Sequence, residues 1–386
     1  MVRYRVAVMD VDLLSTVLAK RKAPAFRLRQ ILRAVQHEYA GSWDEISTLP
    51  KQLREQLAGD VPFSTLTVDH EERSKDGSVK LRMMTHDGFP LEAVLMGFER
   101  GGAGTAGRGK LPLRYTACLS SQSGCALSCT FCATGKMKLG RNLTRHEIVD
   151  QFLELARRRA AHDGGRIDNI VMMGMGEPFH NYDEVLAAIR TLNDPNGPGL
   201  AARRIAISTV GWVPGIERLA DEDIQVKLAL SLHAPNDQDR GRLMPVNKKF
   251  PIERLMKACQ TYREKTKRRI FIEYLMLEGV NDSPEHAKEL AHLLGSQEGP
   301  GGFHVNLIAY NPTDTDYIGS DDETVRRFSA ILERHGIDTS YRVSRARDIS
   351  GACGQLAAPV EAARRRQREE KLARSKARDA AVTADA

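Results

Sequence analysis

No stretch of the chain comes near the roughly 18 to 20 consecutive apolar residues that a membrane-spanning helix requires, so a helical membrane protein is excluded on sequence. A secretory leader is missing too: Asp10 and Asp12 interrupt the short apolar stretch at the N-terminus, and the chain is expected to stay in the cytoplasm, away from membranes. Aromatic residues are sparse, with two Trp in 386 residues, yet 41% of the chain is hydrophobic. That suffices for one large domain, alone or with a small one attached. Cysteine is scarce as well, and six in a cytosolic chain of this length do not make a disulfide framework. Three of the six fall between Cys125 and Cys132, which points to metal or redox chemistry. The formal charge of +7 suits a polyanionic partner but is also compatible with a membrane surface or with solubility alone.

Apolar spacing at Phe26, Ile31, Leu32 and Val35, followed by Trp43, Ile46 and Leu49 before Pro50, predicts a small helical module over residues 1–62. Residues 63–112 change period: Val79, Leu81 and Met83 alternate, and Asp76-Gly77 and Asp87-Gly88 mark turns. They read as a short antiparallel β extension followed by a glycine-rich connection. Over residues 113–357, short apolar runs at 114–119, 169–173, 204–209, 226–232, 270–275 and 304–308 alternate with helical stretches. Six such repeats imply parallel strands with crossover helices. A closed eight-repeat barrel takes about 250 residues, so six units and a possible seventh strand near Tyr341 predict an α/β fold built on a partial (β/α)6 barrel, with an open doubly wound sheet as the competitor. Both put ligands at the C-terminal strand ends. Residues 358–386 form a basic tail, read as a solvated charge run or as an arm touching nucleic acid.

Cys125, Cys129 and Cys132 lie on a loop flanked by Gly124 and Gly135, directly after the first barrel strand. Thiolates suit iron-sulfur clusters or zinc. Structural zinc takes four ligands in separated pairs, and the chain has no second Cys-x-x-Cys or His pair. Three cysteines in one loop suit a cube with one iron left open to an outside ligand. Small and polar groups recur at the other strand ends: Gly176 and Glu177 in Gly174-Met175-Gly176-Glu177-Pro178, then Ser208, then Ser231-Leu232-His233, then Asn311. Glycines there allow close backbone approach to an ammonium group, and the set fits a nucleoside-type ligand. Cys118 precedes the cysteine loop and reads equally as a small buried hydrophobe, Cys353 lies between glycines and small residues, and Cys259 is structural.

The spacing Cys125-x3-Cys129-x2-Cys132, with Phe131 before the last cysteine, resembles the radical S-adenosylmethionine superfamily. The wider text is similar to the dual-specificity RNA methyltransferases of that superfamily over roughly residues 20–357: Pro24-Ala25-Phe26-Arg27, Leu49-Pro50-Lys51, Leu91-Glu92-Ala93-Val94, the run from Cys118 to Leu127, Ser231-Leu232-His233-Ala234, and Ala352-Cys353-Gly354-Gln355-Leu356. Ala93 departs from the Thr of many relatives, a small residue for a small one.

That resemblance implies a 4Fe-4S cluster on Cys125, Cys129 and Cys132 whose open iron takes S-adenosylmethionine, two of which are used per turnover. It implies methylation of adenosine carbon 2 in 23S rRNA and, 3′ of the anticodon, in some tRNA, with an external electron donor such as flavodoxin and a monomeric enzyme. It assigns Cys353 to carry the methyl group and Glu92 to accept the ring proton. Cys118 would release the product by forming a disulfide with Cys353. As a plain strand residue, Glu92 would face solvent. Arg342, Arg345 and Arg347 are candidates for phosphate contacts or for structural salt bridges. Two alternatives stand beside this expectation: the related Cfr-like enzymes, which modify carbon 8 with the same thiols, and a non-catalytic iron-sulfur RNA-binding protein.

Overall fold

The structure, a computed structural model, describes residues 10–99, 113–295 and 302–356. The glycine-rich connection and the basic tail lie outside the described residues. Ten strands form one sheet in the order β1 (Leu66–Arg73), β2 (Val79–Thr85), β3 (Pro90–Glu99), β4 (Leu113–Cys118), β7 (Asn169–Met172), β8 (Ile205–Thr209), β9 (Lys227–Ser231), β10 (Ile270–Met276), β11 (Phe303–Ala309) and β12 (Asp338–Arg342). A separate two-stranded ribbon joins β5 (Gln122–Ser123) to β6 (Arg141–Asn142).

From β4 through β7 to β12 every neighbouring pair is parallel, so the six expected strands are present and the segment near Tyr341 supplies the seventh. With helices between them, these strands make the partial barrel. The β extension is not a separate layer. β1, β2 and β3 are antiparallel, and β3 pairs antiparallel with β4, so the extension continues the barrel sheet across the expected boundary at residue 112.

The barrel interior follows from the register. Partners across the sheet include Leu95, Ala117, Ile170 and Ile205 in one row, and Leu230, Ile272 and Val305 in another. Ala117, Ile170, Ile205, Leu230, Ile272 and Val305 are fully buried, which is the face the helices cover. The alternate positions point the other way and are small or polar: Val94, Cys118, Val171 and Ala206 form one row, Ser208 and Ala229 another, and Ser231, Glu273, Asn306 and Ser340 a third. Closed barrels normally fill this face with bulky branched side chains. Here it carries small or polar residues, and because the parallel strands follow chain order with no reversal, the open doubly wound reading falls.

The first crossover helix, Arg145–Asp163, starts at a capping box between Thr144 and Glu147 and stops at Gly164 in the left-handed region. The N-terminal helices Val11–Lys20, Phe26–Gln36 and Lys51–Asp60 pack on their own apolar residues, Leu14, Ile31, Val35 and Leu57, with the Trp43 indole donating to the Val61 carbonyl at 3.0 Å. Among the described residues no helix is long and apolar enough to cross a membrane.

Candidate active site

The cysteine loop is held by its neighbours on all sides. Thr130 N–H donates to the Leu243 carbonyl and Ala133 N–H to the Gly354 carbonyl, at 3.0 and 2.7 Å. Gly135 is required where it stands, because a Cβ there would lie 2.6 Å from the Cys129 carbonyl oxygen. Burial raises all three thiols, Cys125 to about 11, and the charges of Cys125 and Cys132 push Cys129 up further. Raised in this way the three thiols rest protonated, and to act together as thiolates they need positive charge among them. Among the described residues no three His, Cys, Asp or Glu side chains converge on a single metal ion. A cubane takes one thiolate per iron corner, so its ligands stand farther apart than those of one ion.

The expected cofactor residues meet at the same end of the barrel. Ser208 and Ser231 bring their hydroxyls within 3.5 Å of each other on the inner face. Gly176 sits at φ +94°, where an added Cβ would lie 2.5 Å from Gln122. Ser120, just after β4, ties this loop down: its hydroxyl donates to the Glu92 carbonyl at 2.6 Å and accepts from Met175 N–H at 2.8 Å. Glu177 is buried and pushed up to about 7. Both its oxygens accept backbone amides, from Phe179 and Val210, so the carboxylate staples two strand-end loops.

Leu232 is fully buried, with its amide donating to the Glu273 carbonyl. His233 is in the left-handed region at φ 58°, and burial drives it down to about 3, so the ring is neutral. Its Nδ1 accepts Leu275 N–H and its ring meets Phe131 edge-on at 4.9 Å, which aims Phe131 from the cysteine loop toward the strand end. Asn311 donates to the Ser344 hydroxyl and the Cys353 carbonyl, while its Oδ1 is buried without a partner. Such an orphan acceptor costs roughly 1 to 3 kcal/mol. A ligand donor would remove that cost, and together with three soft thiol donors on one loop it makes the end of the barrel fit a cluster and a nucleoside-type cofactor.

Cys118 and Cys353, far apart in sequence, are brought together. Cys118 is buried on the inner face of β4, and burial followed by the Cys353 charge raises its thiol. Cys353 is open to solvent yet surrounded by protein, as a side chain on a cleft wall is. Burial, with the charge of Glu273, pushes it up to about 11, against the pull of Arg342. The expected disulfide between them is not formed: both are free thiols, the reduced state of the pair. Glu92 does not face solvent. It is buried two residues along from Val94, the cross-strand partner of Cys118, and its Oε1 lies 3.9 Å from the equally buried Lys80 ammonium.

Residues 119–294 match the Radical SAM superfamily. A probable dual-specificity RNA methyltransferase RlmN from Chloroflexus aurantiacus is 44% identical over 89% of this chain and 90% of its own length. Its counterpart from Heliobacterium modesticaldum is 41% identical over 86% of this chain and 84% of its own. The chain belongs to the RlmN family. A crystal structure of a radical SAM methyltransferase from Sphaerobacter thermophilus superposes with a TM-score of 0.82 at 44% identity, covering 92% of this chain and 98% of that one. Membership makes the protein an RNA methyltransferase and implies a 4Fe-4S cluster and S-adenosylmethionine.

Two residues at this RlmN-type site escaped the sequence reading. Glu273 sits inside an apolar strand; its carboxylate accepts from Asn306 at 2.7 Å, and Asn306 in turn accepts from Ser340 at 2.7 Å. The signal was a lone carboxylate amid Ile270, Phe271, Ile272, Tyr274 and Leu275. Arg240 is fully buried, donates to Asn247 and the Val210 carbonyl, and its charge lowers the Cys129 thiol. In sequence it sits among Asp237, Asp239 and Arg242 and reads as part of a solvated helix face. Of the arginines near Cys353, Arg342 acts electrostatically on Glu273 and Cys353, and Arg345 lies over Phe98.

Proposed function

We propose that the protein methylates carbon 2 of adenosine in 23S rRNA and in some tRNA, 3′ of the anticodon, through an S-methylated Cys353. The observation that carries this is that the Cys118 thiol feels the Cys353 charge, on a segment hydrogen-bonded to the cysteine loop through Gly354. Carbon 2 is electron-poor and has no lone pair, so a methyl sulfonium cannot be attacked by it directly, and the methyl group needs a carrier. Cys125, Cys129 and Cys132 would hold the cluster, with Gly176, Glu177, Ser208, Ser231, Leu232, His233 and Asn311 around the cofactor. Bound there, the cluster and S-adenosylmethionine supply a transferable methyl group and a 5′-deoxyadenosyl radical.

Cys353 acts first as the nucleophile that takes the methyl group. Its methyl then loses a hydrogen atom, and the methylene carbon bonds to carbon 2 of the adenine. The surplus electron of the adduct would pass back to the bound cluster, and Glu92, whose Oε1 lies 3.9 Å from the Lys80 ammonium, accepts the ring proton. Cys118 closes on the Cys353 sulfur, the carbon–sulfur bond breaks, and the methylene carbon takes up the proton given up by the Cys118 thiol, so that it leaves as the methyl group of the base. An external reductant then resets the thiols. The base must be unstacked to reach this site. Exposed Arg29 and Arg33 on the helix Phe26–Gln36 suit phosphate contacts by the N-terminal module. The reading includes a cytoplasmic monomer fed by a flavodoxin-type donor.

Reconstituted full-length protein, kept anaerobic with dithionite, S-adenosylmethionine and RNA, is expected to release 5′-deoxyadenosine, measured by chromatography. If none is released, the protein is a non-catalytic cluster-bearing RNA binder.

A further inference from the structure

The two edges of the ten-stranded sheet, β1 and β12, do not pair with each other. Side chains bridge them instead. The turn between β1 and β2 reaches the loop that leaves β12 and carries Cys353. Within the turn, Asp76 Oδ1 accepts Ser78 N–H at 2.9 Å, and Asp76 N–H donates to the Ser74 hydroxyl oxygen at 3.2 Å. Across the gap, Asp76 Oδ2 accepts Ala346 N–H at 2.9 Å, the Ser74 hydroxyl donates to Asp348 Oδ1 at 2.5 Å, and Lys75 N–H donates to Asp348 Oδ2 at 3.1 Å.

The loop on the receiving side needs holding. Ala346 is at φ 59° and Ser350 at φ 49°, both in the left-handed region that non-glycine residues avoid. Ala346 is fully buried, and its carbonyl accepts Gly351 N–H at 2.8 Å, which closes the turn from which Ala352 and Cys353 emerge. Asp76 therefore grips the residue on which that turn closes. Burial works against ionisation of Asp76, but the donors of Ser78, Ala346 and Ser74 outweigh it and hold its carboxyl below the ordinary range. The cysteine loop fastens the far side of the same segment through Gly354 and through Leu356, whose carbonyl accepts the Thr134 hydroxyl at 2.6 Å.

We propose that Asp76, Ser74 and Asp348 are positioning residues for Cys353: the β1–β2 turn latches the open side of the barrel and sets where the Cys353 thiol stands relative to Cys118. This rests on the reading of Cys353 as the methyl carrier. None of the three touches the reacting atoms. Their effect falls on coupling, the share of radical events that end in methylated RNA, since misplacing a reacting group by about 1 Å is enough to lose it.

The test uses the full-length reconstituted enzyme with D76A, D348A, S74A and S74T, reading methylated adenosine formed per 5′-deoxyadenosine released, together with tryptic cleavage of the unreconstituted protein after Arg345 and Arg347. In D76A, 5′-deoxyadenosine release stays near wild type, the coupling ratio falls on the order of tenfold, and cleavage at the two arginines accelerates. D348A and S74A change in the same direction by less, and S74T, which keeps the hydroxyl, restores the ratio. If D76A fails to fold, D348A and S74A against S74T decide the matter. Unchanged coupling in folded latch variants overturns the proposal while C353A remains inactive. Methylation surviving in C353A overturns the carrier reading itself.

Discussion

Replacing Cys353 by alanine removes RNA methylation, a loss of about 10³-fold or more of the size that deleting a nucleophile produces, while the iron-sulfur absorbance of the protein stays at the wild-type level. The two outcomes separate because Cys353 lies on a different segment from Cys125, Cys129 and Cys132, joined to their loop by the Ala133–Gly354 and Thr134–Leu356 hydrogen bonds, which alanine leaves intact. Cys353 stands on a cleft wall and reaches solvent, so removing one sulfur atom there disturbs the fold little. Incorporation of labelled methyl into RNA and the visible spectrum of the same preparation check both halves. Methylation that persists means the methyl group does not travel on this cysteine; absorbance lost with the thiol means Cys353 belongs to the cluster.

Cys118→Ala should stop the reaction one step later. Cys353 still takes the methyl group and still bonds to the base, but the thiol that closes on its sulfur is gone, and RNA remains attached to the protein. Denaturing electrophoresis then shows a band of protein plus RNA that nuclease digestion collapses, at no more than one RNA per chain. Cys118 sits on the inner face of β4 with Val94 and Val171 as cross-strand partners, and alanine has the same preference for burial, so the barrel tolerates the change. Full turnover by this variant would assign product release to another group. Absence of both product and adduct would place Cys118 before the carbon–carbon bond rather than after it.

The parts of this site that were readable in the sequence carry their chemistry in the residue type. A triplet of cysteines in a glycine-flanked loop and small polar residues at successive strand ends are visible without a structure, because the barrel's period places strand ends in one plane. What could not be read depends on partners that no local pattern names, 33 residues apart for Glu273 and Asn306 and 270 for Asp76 and Ala346. Asp76 is an ordinary turn residue until Ala346 is found against it. Glu92 passes for a solvent-facing strand carboxylate until Lys80 and the rest of the sheet bury it. Glu273 could have been suspected, since a carboxylate within an apolar strand must find a partner, but nothing local names Asn306. The β extension was recognised as antiparallel, yet its fusion to the barrel rests on the β3–β4 pairing, which no local pattern encodes.

The most direct test of the account is nucleoside analysis by mass spectrometry of 23S rRNA and tRNA incubated with the reconstituted protein, reductant and S-adenosylmethionine. The expected product is 2-methyladenosine. Finding 8-methyladenosine without 2-methyladenosine would contradict it and assign the same thiols to the other ring carbon.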